Sequence, residues 1–335
     1  MRGGAGPERQ SGAPVLVTDW GRERLAPPVT EIVTMTRNTP QTDRADVYTR
    51  ITAEIIAAIE AGTETWRMPW HHGGAATARP TNLASGKRYR GINVLALWMA
   101  AEKHCYGEGL WGTYRQWQAV GAQVRKGEHA TSVVLWKEVR AAANDDEVPS
   151  DTGDGRRLFA RAFCVFNRAQ VDGYEPEALP APSMSDRIAR ADAFFDALGI
   201  PVTFGPFGAH YRPNEDRIYM PPFSAFDDPA LFAATLIHEA AHASGAAHRL
   251  DRRLGARFGE ASYAVEEMTA ELAAGYILAD LGVAHHPRPN HAAYIASWIR
   301  VLKGDPRAIF TAASKAQQAA DWMHARQPAV PALAA

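Results

Sequence analysis

Leu231-Phe232-Ala233-Ala234-Thr235-Leu236-Ile237-His238-Glu239-Ala240-Ala241-His242 is the stretch on which the reading of this chain turns. Its first seven residues are an apolar run that predicts a buried helix, and the helix continues through two histidines four positions apart. On a helix, positions i and i+4 lie on one face, so both imidazoles can point at one ion. Glu239, directly after the first histidine, can then reach a water held by that ion. This is the arrangement of zinc hydrolases, in which the ion lowers the pKa of its water toward ~7 and the carboxylate takes the proton. Ala240, Ala241, Ala243 and Ser244 leave room around the site, and Gly245 offers a helix stop. The competing reading is a pair of surface histidines on an alanine-rich helix.

A catalytic zinc takes three protein ligands and keeps one position open. Two sources compete for the third. His238 to His248 spells H-E-x-x-H-x-x-G-x-x-H, which matches the metzincin pattern and offers His248. The other source is the next helical stretch, Val265-Glu266-Glu267-Met268-Thr269-Ala270-Glu271. There Glu267 and Glu271 share a face, so one can bind metal while the other holds a ligand imidazole by its second nitrogen. Burying carboxylates on an apolar helix is unfavourable unless they meet a cation. That favours Glu267, with His248 second and Glu266 or Glu271 after it. Arg249-Leu250-Asp251-Arg252-Arg253, beyond His248, reads as solvated surface. Met268 sits in a helical pattern rather than in a metzincin Met-turn.

Outward from this helix, Arg187 to Leu198, Tyr263 to Leu281, Ala292 to Leu302 and Pro306 to Met323 read as helices. Pro201 to Phe204 and Arg217 to Met220 read as short strands. Upstream, Val47 to Gly62, Gly91 to Glu102 and Tyr114 to Val120 are helical by spacing. Ser132 to Val139 and Leu158 to Phe166 form a strand pair around an acidic insertion at 141–155. A Pro-rich stretch, Asp172 to Ser185, marks a linker. The fold class is therefore α+β. A small α+β domain (45–172) and a linker (173–186) precede a mostly helical domain (187–326), flanked by disordered segments at 1–44 and 327–335. Met35 opens a more usual leader than Met1.

The bulk composition narrows the function classes. The chain has 335 residues, 46% hydrophobic and 22% charged, with a formal net charge of -1, so any basic surface must be local. Cys105 and Cys164, its two cysteines, are far apart and lack metal-ligand spacing, which suits a reducing compartment. Both read as small core hydrophobes. No apolar run of about 18 residues exists and no signal-peptide core precedes the first helix, so a cytoplasmic protein with no membrane partner is expected.

Residues 81–140 hold nine basic against four acidic residues, interleaved with Tyr89, Trp98, Tyr106, Trp111, Tyr114, Trp117 and Trp136. Trp66 and Trp70 lie just upstream. Cations track phosphates and unpaired bases stack on rings, so this composition suits single-stranded nucleic acid. Trp98 and Trp136, in apolar runs, read as core. Trp66, Trp70, Tyr89 and Trp111, flanked by polar or glycine residues, are as well suited to exposure. Lys87-Arg88-Tyr89-Arg90-Gly91 is a compact loop before a helix, whose N-terminal amides favour phosphate. The candidate nucleic-acid contacts are Trp66, Trp70, Arg88, Tyr89, Arg90, Asn93, Trp111, Tyr114 and Lys126.

The order of short blocks resembles one known family. These include Ala61-Gly62-Thr63, Arg88-Tyr89-Arg90-Gly91-Ile92-Asn93-Val94-Leu95, Val124-Arg125-Lys126-Gly127-Glu128 and Val165-Phe166-Asn167. Further along come Asp216-Arg217-Ile218-Tyr219-Met220-Pro221, Thr235-Leu236-Ile237-His238-Glu239, Arg249-Leu250-Asp251-Arg252 and Tyr263-Ala264-Val265-Glu266-Glu267. Through most of residues 46–325 the chain is similar to the ArdC-type antirestriction proteins of plasmids and other mobile elements. The resemblance implies a single-stranded DNA-binding N-terminal domain and a zincin-like metallopeptidase domain. It also implies Zn2+ or another divalent metal on His238, His242 and a glutamate of the second helix, with Glu239 as general base. Arg217 to Met220 would be the strand beside which a protein or peptide substrate lies. Two rivals remain: a non-catalytic DNA binder with a structural metal, and a mobile-element effector peptidase. Ala240, Ala241 and Ala243 are smaller than the family leads one to expect, and His248 falls where the family need not have a histidine.

Overall fold

The computed structural model describes residues 42–62, 79–140, 156–175, 182–252, 260–284 and 291–328. The apolar periodicities become helices at nearly the expected places: α1 (Thr42–Gly62), α2 (Ile92–His104), α3 (Tyr114–Ala119), α4 (Met184–Asp196), α5 (Pro229–Ala243), α6 (Ala261–Leu281), α7 (His291–Gly304) and α8 (Ala308–His324). The strands are β1 (Thr81–Asn82), β2 (Leu110–Gly112), β3 (Gln123–Val124), β4 (Thr131–Arg140), β5 (Arg156–Asn167), β6 (Val171–Asp172), β7 (Val202–Phe204), β8 (His210–Arg212) and β9 (Arg217–Met220). Helix α1 begins inside the stretch expected to be a disordered leader, and α4 begins inside the expected linker. Apart from such inner ends, the leader, the 141–155 insertion and the tail lie outside the described residues. Among the described residues no helix is long and apolar enough to cross a membrane.

The expected hairpin is present, with β4 antiparallel to β5 from Thr131↔Val165 to Arg140↔Arg156. Its sheet runs β1-β2-β5-β4, and β3 pairs separately with β6. Trp111 packs with Leu97, Val133 and Val165, while Trp117 packs with Ala122, Val124 and Val171. Gly112 permits this closeness, since a Cβ there would stand 3.0 Å from the Trp117 ring nitrogen.

The boundary expected across 173–186 separates stretches of sequence that share one core. Ile51, Ile55 and Ile59 of α1 and Ile92, Leu95 and Trp98 of α2 cluster with the buried faces of α4 to α8. A polar seam joins the halves as well: Arg79 pairs with Asp280 at 3.0 Å, and the Tyr276 hydroxyl donates to the Gly91 carbonyl at 3.0 Å.

Two expectations fail here. Strand β9, expected to lie beside an extended substrate, is the middle of the sheet β7-β9-β8. It is hydrogen-bonded to β7 on one side and β8 on the other, so it has no free edge. The free edges belong to β7 and β8, and β8 packs against α5. The cysteines are surface residues rather than core. Cys105 caps α2 in the left-handed conformation at φ 54°, and Cys164 lies opposite Ser132 on an open ribbon face.

Candidate metal centre

Helix α5 starts where Asp228 accepts from the Ala230 amide at 2.8 Å, with Pro229 in its first turn. From Phe232 it is buried through Ala241, which carries His238 and Glu239 into the interior at 1% and 4% exposure. Helix α6 packs against it and is buried from Glu267 to Ala279 before Gly282 ends it at φ 72°. Burial of a carboxylate on such a helix requires a partner, and α5 supplies it.

The Nε2 atoms of His238 and His242 face each other at 3.1 Å. Glu267 reaches both, with Oε2 3.7 Å from His238 Nε2 and Oε1 3.5 Å from His242 Nε2. Among the described residues, His238, His242 and Glu267 form the one cluster suited to holding a metal ion. Ligands ~2.0–2.1 Å from a tetrahedral ion stand roughly 3.4 Å from one another, so the three spacings fit one cation between them. The chemistry of the donors agrees: two imidazoles and a carboxylate suit zinc and other divalent first-row metals. Glu239, Glu266, Glu267 and Glu271 surround two histidines and one guanidinium, a balance that calls for added positive charge.

Carboxylates face the outer nitrogens too. Glu271 Oε2 lies 3.2 Å from His238 Nδ1, an ion-pair distance without hydrogen-bond alignment. Glu266 Oε1 lies 3.3 Å from His242 Nδ1. Burial, the largest single influence on His242, disfavours its charged form. Glu267, Glu266 and Glu239 together outweigh it and push the imidazole up to about 9. Burial likewise opposes the charged form of Glu266, but hydrogen bonds with His242 and Arg252 hold it below the ordinary carboxylate range.

Arg252 departs from the reading of 249–253 as solvated surface, a stretch whose last residue lies outside the described ones. Arg252 is 8% exposed and grips Glu266 with Nε to Oε2 at 3.0 Å and Nη2 to Oε1 at 2.8 Å. Arg249 is also engaged, donating to both Asp216 oxygens at 2.6 and 2.8 Å and to the Ala243 carbonyl at 2.8 Å. His248 does not join the cluster. Its side chain is 62% exposed and pairs with Asp216 at 3.3 Å. The sequence signal for Arg252 was its spacing, ten residues after His242, which meant nothing without the intervening turn.

The nucleic-acid candidates scatter. Trp66 and Trp70 lie outside the described residues, and Trp136 is placed only as the strand position opposite Ala160. Trp111 is fully buried, so it offers no stacking face, because its neighbours in the chain said nothing of the helix above it. Asn93 spends both amide groups on the Val134 backbone at 2.7 Å each. Tyr89 is half-buried, with its hydroxyl accepting from Asn82 at 3.1 Å. Arg88 pairs with buried Asp280 at 2.9 Å and Arg90 with Asp321 at 2.5 Å. Tyr114, 42% exposed, and Lys126, also exposed, line one recess of about 710 Å³ with Gln123 and Phe166.

A His-Glu-x-x-His helix meeting a glutamate from the following helix defines the zincin-like class, and residues 189–315 match the family described as zincin-like metallopeptidase. Residues 45–166 match the N-terminal domain of anti-restriction factor ArdC. The crystal structure of the metal-free ArdC antirestriction protein from plasmid R388 is 37% identical, with a TM-score of 0.69 over 84% of this chain and 98% of that one. Its Mn(II)-bound form is similar at 36% identity and a TM-score of 0.68, covering 85% and 99%. This chain belongs to the ArdC antirestriction family. It is also 55% identical over 294 residues to protein y4eC of Sinorhizobium fredii, covering 87% of this chain and 95% of that one. A 36% match to the DNA primase TraC of Escherichia coli covers 82% of this chain and 27% of the primase.

Proposed function

We propose that this protein is an antirestriction factor of a mobile element that binds single-stranded DNA with its N-terminal half and carries a zinc-dependent peptidase-like site. The observation that supports the hydrolytic part best is that His238 Nε2, His242 Nε2 and the Glu267 carboxylate face one another. These three residues would hold the ion, which when bound supplies Lewis-acid polarisation of water and carbonyl groups. Glu239, buried beside them, takes the proton from the attacking water and returns it to the leaving amine. Glu271 and Glu266 keep the two rings turned inward. His242, with 15% of its side chain exposed, marks the side from which a peptide enters, and the β8 edge offers it main-chain pairing.

Membership of the ArdC family and the chain's likeness to the antirestriction ArdC protein of plasmid R388 support the biological role. The DNA surface proposed is the recess bearing Tyr114 and Lys126. Glu239→Gln in the full chain is the decisive test, scored by protection of incoming plasmid DNA and by cleavage of host restriction subunits. Loss of both with metal still bound supports catalysis. Protection that survives makes the protein a binder with a structural metal. Cleavage in trans without any contribution from DNA binding would instead make it an effector peptidase.

A further inference from the structure

The chain after the metal helix turns back on itself. The Leu250 amide donates to the Ser244 carbonyl, that of Asp251 to Ala246, and that of Arg252 to Gly245 at 2.9 Å. Asp251 adopts φ 47° at the return. The turn brings Arg252 beneath the last turn of α5, where it donates Nη1 to Ser244 Oγ at 2.8 Å and Nη2 to the Ala241 carbonyl at 2.6 Å. Its remaining donors grip Glu266, whose Oε1 faces His242 Nδ1. One guanidinium thus ties the end of the helix that carries both histidines to the start of the helix that carries the glutamate.

We propose that Arg252 and Glu266 are positioning residues of the metal centre: the arginine fork fixes the Glu266 carboxylate, which holds His242 with its proton on Nδ1 and its Nε2 lone pair free for the ion. The consequence is a division of labour within the turn after His242. In the metzincin pattern that turn delivers a third histidine to the metal. Here His248 points away to Asp216, α6 supplies the third ligand, and the same turn delivers a brace. A monodentate lysine cannot reproduce it, because Nε and Nη2 make two parallel bonds to one carboxylate while Nη1 and the second hydrogen of Nη2 hold the helix end. The inference rests on the proposed His238–His242–Glu267 site.

The test measures zinc affinity of the full chain by competition with a chromophoric chelator, alongside the thermal midpoint of the metal-free protein and, above the pH at which the metal-free ring becomes neutral, the His242 tautomer by long-range 15N–1H NMR. Glu266→Ala is expected to weaken zinc binding ~10–100-fold and to lose the Nδ1–H tautomer. Arg252→Lys is expected to fall between it and the native protein. Glu266→Gln, which keeps an acceptor toward His242, is the variant to use if Glu266→Ala does not fold. It should retain the tautomer but bind zinc more weakly than the native chain. Variants that lower the thermal midpoint yet bind zinc as tightly as native protein, with the tautomer unchanged, would overturn the proposal and leave a packing role. Native protein that binds no zinc would instead refute the metal site itself.

Discussion

The two halves of the molecule treat their chemically distinctive residues in opposite ways. In the C-terminal half, His238, His242, Glu266, Glu267 and Glu271 sit on apolar helices and are drawn together, because a buried carboxylate without a partner is strongly unfavourable. In the N-terminal half, the aromatics go into cores: Trp111 and Trp117 into small local ones and Trp98 into the one shared with the C-terminal helices, all three nearly inaccessible. Arg88 and Arg90 of the 87–91 loop answer acids of α6 and α8. An exposed arginine is under no comparable pressure to face a ligand, so composition there predicts membership of a surface but not the surface. Polar residues in apolar surroundings locate a site; polar residues in polar surroundings do not.

That contrast can be broken at several points. The largest effect belongs to Glu239→Gln, expected to lower peptidase turnover ~10²–10⁴-fold while zinc content stays near native, measured with the metal-loaded protein. Trp111→Ala should destabilise the chain by about 3–5 kcal/mol in denaturant titration, with little change in single-strand affinity per folded molecule. A selective loss of DNA binding at unchanged stability would return Trp111 to the interface.

Zinc affinity should rise with pH. The metal-free protein holds a proton on His242 until about pH 9, and the ion must displace it. The sign is that of a raised pKa. The metal-free fold keeps the contribution of protonated His242 fully below pH ~6.5 and loses it as pH climbs through about 9. Zinc binding should therefore tighten by up to roughly tenfold per pH unit across that window and then level off, as read by chelator competition. An affinity flat from pH 6 to 9 would mean the proton is not on this imidazole.

Tyr114→Ala should reduce oligothymidine affinity by ~1–3 kcal/mol, the scale of one stacked base, with steep salt dependence in the parent protein. The smallest expected effect is on stability in Arg90→Ala, since its ion pair with Asp321 is exposed on both sides and such pairs are worth ~0–1 kcal/mol. A larger loss there would show the seam between the halves to be stronger than its exposure implies.

Much of the architecture was readable beforehand. Helices α4 to α8 and the β4–β5 ribbon follow from spacing, and α5 announces itself through the apolar run from Leu231. The short strands β1, β2, β3, β6 and β8 carry too few residues for a period-2 pattern. Strand β9 shows the limit from the other side: its alternation marked a strand, but alternation is the same for a central strand as for an edge one. The shared core of α1 and α2 with the C-terminal helices was hidden as well, because an apolar helix face does not name the face that covers it.

The sequence alone determined that two imidazoles stand on one face of α5 with a carboxylate directly after the first, and that acids on the apolar α6 need a cation if buried, since helical geometry and the penalty on buried charge are local facts. Only the tertiary structure decided that Glu267 closes the cluster, that His248 turns away to Asp216, and that Arg252 returns from a surface-like stretch to grip Glu266. Those outcomes depend on how a turn folds back and how two helices cross, which no residue specifies by itself.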